Sequence, residues 1–134
     1  MSDRVFADSN VTIYALDPGS VKGEIALSIL RDRPIISTQV VMETVNVLIR
    51  KLRFARADAF EHARFLMHNT SVKGIQVNTL ERAFNLSIRY HLGHWDSVII
   101  AAALEAGCKI LYSEDLADGQ EIQGLIIRNP FKTD

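Results

Sequence analysis

Four acidic residues, spread through a chain of 134 residues, are of the right type and in the right places to do chemistry together. Asp8 directly follows the apolar run Val5-Phe6-Ala7. Glu43 sits among Val40, Val41, Met42, Val45 and Val47, company that does not suggest a solvated helix face. Asp96 follows the Gly93 turn and opens a dense apolar stretch. Asp115 belongs to Ser113-Glu114-Asp115, just past Ile110-Leu111-Tyr112. Each has an ordinary structural explanation when taken singly: an aspartate at a helix start is a cap held by the helix dipole, and one after a strand is a turn residue. The set is harder to explain that way. Two carboxylates about 4 Å apart repel by roughly 4 kcal/mol at an effective dielectric near 20. A group of four therefore needs protons or cations to neutralise it. Hard oxygen donors select Mg2+ or Mn2+, ions that keep several waters and often bridge to phosphate. That is the requirement of metal-assisted phosphodiester cleavage, in which the metal lowers the pKa of an attacking water and stabilises the charge growing on phosphorus and the leaving oxygen.

For the four to meet, the fold must bring strand ends and helix starts to one edge. The chain alternates short β-type runs with helical patterns. After Val5-Phe6-Ala7, Asp17-Pro18-Gly19-Ser20 is turn chemistry, and Ser20 caps a helix with Val21, Ile25 and Ile29 on one face. Pro34 ends it, and Ile35-Ile36 gives a second strand. Ser37 or Thr38 then caps a helix carrying Val41, Val45, Leu48, Ile49 and Leu52. A further helix covers about residues 56–69, with Phe60, Ala63, Leu66 and Met67 inward. Ile75-Gln76-Val77 reads as a third strand. Thr79 caps a helix with Leu80, Phe84, Ile88 and Leu92, and the apolar helix that Asp96 opens ends at Gly107, a C-cap glycine. Ile110-Leu111-Tyr112 and Leu125-Ile126-Ile127 are the fourth and fifth strands. Strands that are apolar at every position and separated by helices argue for an α/β protein whose parallel sheet is covered on both faces. Binding sites in such folds lie beyond the carboxyl ends of the strands, where Asp8, Glu43, Asp96 and Asp115 all project.

These residues resemble those of the PIN-domain ribonucleases, specifically the VapC-type toxins of toxin–antitoxin pairs, and the likeness covers essentially the whole chain. It rests on Val5-Phe6-Ala7-Asp8-Ser9-Asn10-Val11 with Tyr14 beyond it, on Ile36-Ser37-Thr38-Gln39-Val40-Val41-Met42-Glu43, on the run from His94 to Ala103, and on Leu111-Tyr112-Ser113-Glu114-Asp115-Leu116 followed by Gly119-Gln120 and Asn129-Pro130-Phe131. The resemblance implies a three-layer α/β/α PIN-like fold, with a mostly parallel sheet of about five short strands, as one domain over residues 1–134. It implies an endoribonuclease, the toxin of a type II pair, whose divalent metal is held by Asp8, Glu43, Asp96 and Asp115. Asn10 and Ser113 match polar positions that support the acids. Glu114 and Asp118 also lie close to the fourth motif, and either could supplement or replace Asp115, with Asp118 the stronger of the two. The chemistry then gives Asp8 and Asp96 direct contact with the metal, while Glu43 and Asp115 act through water. The resemblance further implies an RNA substrate, a homodimer and a cognate antitoxin. An antitoxin Arg or Lys that neutralises the acidic cluster would inhibit without any conformational change.

Composition bounds this reading. The 48% hydrophobic and 23% charged fractions are those of a globular protein and exclude a disordered tail or a fibre. Fifteen basic against sixteen acidic residues exclude a strongly basic nucleic-acid coater, though not a nuclease with a local basic track. Arg50, Lys51 and Arg53, with Arg56, are the candidates for such a track along RNA phosphates, against the plainer reading of a solvated helix face. Lys22 and Lys73 are weaker ones. Trp95, beside Asp96, is either core or hinge packing or a base-stacking platform. The single cysteine, Cys108, forms no internal disulfide and reads as a buried filler. No export or membrane segment is visible, so a cytoplasmic location is expected. Three other functions stay open: a PIN nuclease of RNA processing without an antitoxin, a non-catalytic PIN-like binding module, and a phosphoaspartate receiver or phosphatase. The last would want a second acid two positions after Asp8, where Asn10 stands.

Overall fold

The structure, a computed structural model, describes residues 4–132. Along the chain the elements are β1 (Val5–Ala7), α1 (Ser9–Tyr14), α2 (Val21–Arg31), β2 (Ile35–Ser37), α3 (Thr38–Arg50), α4 (Arg56–His68), β3 (Ser71–Lys73), α5 (Val77–Tyr90), α6 (His94–Glu105), β4 (Ile110–Tyr112), β5 (Glu121–Ile122) and β6 (Leu125–Arg128). The strands form one sheet in the order β3-β2-β1-β4-β6-β5, parallel except for the β5–β6 pair. Register is set by Phe6 opposite Ile35 on one side of β1, and by Phe6 opposite Leu111 on the other.

This order explains where a site must form. From β1 the chain moves outward through β2 to β3, then returns by α5 and α6 to place β4 on the far side of β1. The crossovers therefore diverge between β1 and β4. By the general rule for such sheets, a crevice is expected at their carboxyl ends there. Phe6, Ile36, Leu111 and Ile127 are fully buried, as expected for central strands covered on both faces. Helix α6 is buried from Ser97 to Ala103, so it has no polar face to offer solvent. Asp96 sits just ahead of that buried run, at the helix mouth.

Several local expectations hold for the stated reasons. Ser20 caps α2 by accepting from the Gly23 N–H at 2.9 Å. Gly23 is required there: a Cβ would stand 1.7 Å from the Asp17 carbonyl oxygen. Ser37 caps α3 by accepting from the Val40 N–H. Gly107 follows α6 in the left-handed region at φ +74°, which glycine adopts freely.

Others need correction. The third strand is Ser71–Lys73, not Ile75–Val77. An edge strand needs little apolar surface, so this polar triplet pairs with β2 through Ile35–Ser71, Ile36–Val72 and Ser37–Lys73. Gln76 instead caps α5, and Thr79 is the reciprocal partner of that cap, its hydroxyl accepting from the Gln76 N–H at 3.2 Å. Helix α5 buries Thr79, Ala83 and Leu86 against the core and leaves Phe84 and Ile88 exposed. Phe60 and Met67 likewise face out of α4, which packs through Ala59, Ala63 and Leu66. Val21 is exposed at the start of α2, and Leu52 lies past the end of α3 and is also exposed. Two elements were not anticipated, the short helix α1 and the two-residue β5. The latter makes the sheet six-stranded rather than five.

Candidate metal centre

The crevice at the carboxyl ends of β1 and β4 gathers the sequence-predicted acids. Asp8 leaves β1 with its backbone N–H still donating to the Tyr112 carbonyl of β4 at 3.0 Å, which ties the two strand ends together. Asp8 as a residue is only 8% exposed. One carboxylate oxygen accepts from the Ser9 N–H at 2.7 Å, so Asp8 also caps α1. The other accepts from the Ser113 hydroxyl at 2.8 Å. Ser113 Oγ in turn accepts from the N–H groups of Asp115 at 3.2 Å and Leu116 at 3.4 Å. One buried hydroxyl thus sets the first acid and the turn that presents the last. Asn10 adds a second brace. Its Oδ1 accepts from the Glu114 N–H at 3.3 Å, and its amide nitrogen donates to Asp115 Oδ2 at 3.4 Å.

Glu43 enters from the second turn of α3 and Asp96 from the first turn of α6. Burial pushes the Asp8 carboxyl above the usual carboxylate range, outweighing its two hydrogen bonds, and the charges of Asp115 and Asp96 add to the rise. Burial also raises Glu43, to about 6, with Asp8 the strongest charged neighbour and Asp96 and Asp115 contributing; the Gln39 side chain partly opposes it. Asp96 is raised by desolvation and by Asp115, with His94 pulling the other way. The four carboxylates therefore lie within electrostatic reach of one another.

Among the described residues no lysine or arginine forms an ion pair with any of the four. Oε1 of Glu43 is buried without a hydrogen-bond partner. Nor, among the described residues, do three His, Cys, Asp or Glu side chains converge tightly on one point. The cluster is an open one, with uncompensated negative charge and an orphaned oxygen. A hard divalent ion that keeps part of its water shell suits such a donor set better than an ion demanding a closed cage.

The neighbouring acids are occupied elsewhere. Glu114, next to Asp115 in sequence, accepts from the Tyr14 hydroxyl at 2.6 Å and from Lys22 at 2.6 Å, and these bonds lower its pKa. Asp118 accepts from the Asn129 N–H at 2.9 Å and pairs with Lys132 at 3.3 Å, which lowers its pKa too. Neither is among the charges that raise Asp8, Glu43 or Asp96. Both side chains are thus held by partners of their own, while Asp115 is braced by Asn10 on the cluster's side. Lys22 is likewise committed to Glu114 and Tyr14 rather than free for phosphate. Arg50 ends α3 two turns beyond Glu43, with its Nε donating to Asn46 at 2.9 Å. Lys51 follows it on the surface. Arg53 lines a separate depression with Asp58 and Glu61. The role of Tyr14, whose ring also packs edge-on against Phe131 at 4.8 Å, carried no signal in the sequence beyond the motif it ends.

A parallel α/β sheet with carboxylates at its switch point defines a class of protein built around an acidic, hard-cation type of crevice. The PIN domain family matches residues 5–117, and the chain belongs to that family. No curated protein matches it by sequence. Solved structures resemble it at low identity. A toxin–antitoxin complex from Klebsiella pneumoniae is 22% identical with a TM-score of 0.71, covering 97% of this chain and 99% of that one. VapC20 from Mycobacterium tuberculosis, described as a sarcin-ricin loop cleaving toxin, is 19% identical at 0.67, covering 83% and 89%. A DNA-bound VapBC from Salmonella typhimurium is 15% identical at 0.69, covering 95% and 98%. At these identities the likeness shows the fold. No helix among the described residues is long and apolar enough to cross a membrane.

Proposed function

We propose that the protein is a Mg2+- or Mn2+-dependent endoribonuclease and the toxin of a type II toxin–antitoxin pair. The observation that carries this is the un-neutralised cluster of Asp8, Glu43, Asp96 and Asp115 at the switch point, in a chain of the PIN family. Asp8 and Asp96 would hold the metal directly, and Glu43 and Asp115 would hold it through water or hold the attacking water. When bound, the ion lowers the pKa of a water and stabilises charge on the scissile phosphate. Glu43, whose carboxyl is pushed up to about 6, would take up the proton of the attacking water. Ser113 and Asn10 keep Asp8 and Asp115 in place through the hydrogen bonds above.

Two partners follow from the same reading. The solved relatives include complexes with antitoxins, and an antitoxin Arg or Lys reaching the cluster neutralises it. A second copy of the chain covers α5, where Val77, Phe84 and Ile88 are exposed on one side of the helix. A cytoplasmic setting suits an RNA substrate.

The test is cleavage of total cellular RNA by antitoxin-free protein with Mg2+, with Mn2+, with EDTA, and by Asp8→Asn. Discrete fragments that require metal and disappear in the variant are expected. A folded protein that cuts nothing with either metal overturns the reading in favour of a binding module.

A further inference from the structure

The loop after β4 carries two adjacent acids in different surroundings. Asp115 lies within electrostatic reach of Asp8, Glu43 and Asp96, whereas Glu114 is bound to α1 and α2. Both Glu114 oxygens are taken: Oε1 accepts from the Tyr14 hydroxyl and Oε2 from Lys22 Nζ, each at 2.6 Å. Lys22 also donates to the Tyr14 hydroxyl at 3.2 Å, and its Nζ lies 4.8 Å from the Tyr14 ring centre and 5.9 Å from that of Phe131. The two rings meet edge-on, and Phe131 is buried. An isolated exposed ion pair contributes little to stability. Here one ammonium is gripped by a carboxylate, a hydroxyl and two aromatic rings, which is a clamp rather than a solvated pair. Tyr14 ends α1, the helix that Asp8 caps and Asn10 belongs to, so the clamp ties Glu114 to the element that already braces the cluster.

Asp115 itself is held lightly. Among the described residues its carboxylate has one hydrogen-bond donor, the Asn10 amide at a long 3.4 Å. Ser113 holds the Asp115 backbone N–H but not its side chain. Glu114 orients the Asn10 amide. A backbone N–H can donate only to the amide's oxygen, so the Glu114 N–H, 3.3 Å from Asn10 Oδ1, leaves Nδ2 turned toward Asp115. The direction of the lightly held acid thus depends on a neighbour whose own side chain is locked. We infer that Glu114 is a positioning residue: clamped by Tyr14 and Lys22, it sets the loop and the Asn10 amide so that Asp115 is aimed at a divalent ion in the cluster. The inference rests on the reading that Asp115 helps to hold a metal, and it deepens that reading by naming what orients this acid.

Binding of Mn2+ to the full chain, read from the electron paramagnetic resonance of the free ion, tests this without any RNA. Lys22→Met should weaken binding about tenfold, the scale on which loss of a group that orients a metal-holding carboxylate is felt. By charge alone, removing a cation beside an acidic cluster would tighten binding, so positioning and plain electrostatics predict opposite signs. Lys22→Arg should restore most of the affinity. Tyr14→Phe, which loses one hydroxyl and keeps the ring on Phe131, should weaken binding several-fold with no change in charge. In an Asp115→Asn background neither substitution should weaken binding further, because Glu114 acts through Asp115. Urea unfolding shows which variants are folded, and Tyr14→Phe carries the test if Lys22→Met is not. Equal losses in both backgrounds, tighter binding by Lys22→Met, or unchanged binding by both variants would overturn the positioning role and leave the metal reading standing. A folded wild type that binds no Mn2+ would overturn both.

Discussion

Replacing Glu43 by Gln should make the metal-free protein more stable, the reverse of the usual sign for a change at a half-buried position. Burial and the neighbouring aspartates hold the Glu43 carboxyl at about 6 against an ordinary 4.5. Because the folded value is the higher one, the folded state binds this proton more tightly. The associated stability is complete below about 4.5 and is lost as the pH rises through about 6. At pH 7.5 the ionised group therefore opposes folding. The gap between 4.5 and about 6, at roughly 1.4 kcal/mol per pH unit, amounts to about 2 kcal/mol. Glu43 is partly open to solvent, so screening brings this to about 1 kcal/mol. For a domain of this length that is a rise in Tm of about 3 °C. Thermal and urea unfolding of both proteins in EDTA, at pH 7.5 and near pH 4, measures it. The variant should lead by about 1 kcal/mol at pH 7.5, and the lead should shrink toward zero near pH 4. Adding Mg2+ or Mn2+ should reverse the order, since a ligand that binds only the folded state stabilises the wild type more. A variant less stable than the wild type at pH 7.5 in EDTA, or a difference that ignores pH, would refute the electrostatic account of the cluster.

Three further outcomes follow from particular contacts. Ser113→Ala removes the donor to Asp8 and the acceptor of two backbone N–H groups in a fully buried position; it should cost about 1–3 kcal/mol in urea unfolding and reduce metal-induced stabilisation. Asp118→Asn should leave RNA cleavage unchanged, because Asp118 serves Asn129 and Lys132, whereas Asp115→Asn should impair it; the opposite pattern would return Asp118 to the cluster. The Cys108 thiol is buried and pushed up to about 11, so it should resist alkylation by iodoacetamide at pH 8 until the protein is unfolded; fast labelling of the native chain would contradict that burial.

Much of the architecture was legible locally. Runs such as Val5-Phe6-Ala7 and Ile110-Leu111-Tyr112 are apolar at every position, and only a strand covered on both faces needs that. Ser20, Ser37 and Gly107 mark helix ends by chemistry that acts within a few residues. Once strands and helices alternate, the general rule for parallel sheets sends Asp8, Glu43, Asp96 and Asp115 to a common edge. By itself, then, the sequence determined the fold class and which four acids could meet. What it could not determine depends on partners far away in the chain. The β3 strand, Ser71–Lys73, exists because β2 offers it an edge, not because of its own composition. Helix α5 packs closely against α6 and buries Thr79, Ala83 and Leu86, leaving Phe84 and Ile88 exposed, a selection among its apolar residues that its own periodicity does not make. The partners that distinguish Glu114, Asp115 and Asp118 also come from elsewhere in the chain: Tyr14 and Lys22 for the first, Asn10 for the second, Asn129 and Lys132 for the third. Spacing of one to four residues cannot make that distinction, because it places all three acids in the one loop between β4 and β5. Only tertiary contacts give the three carboxylates different partners.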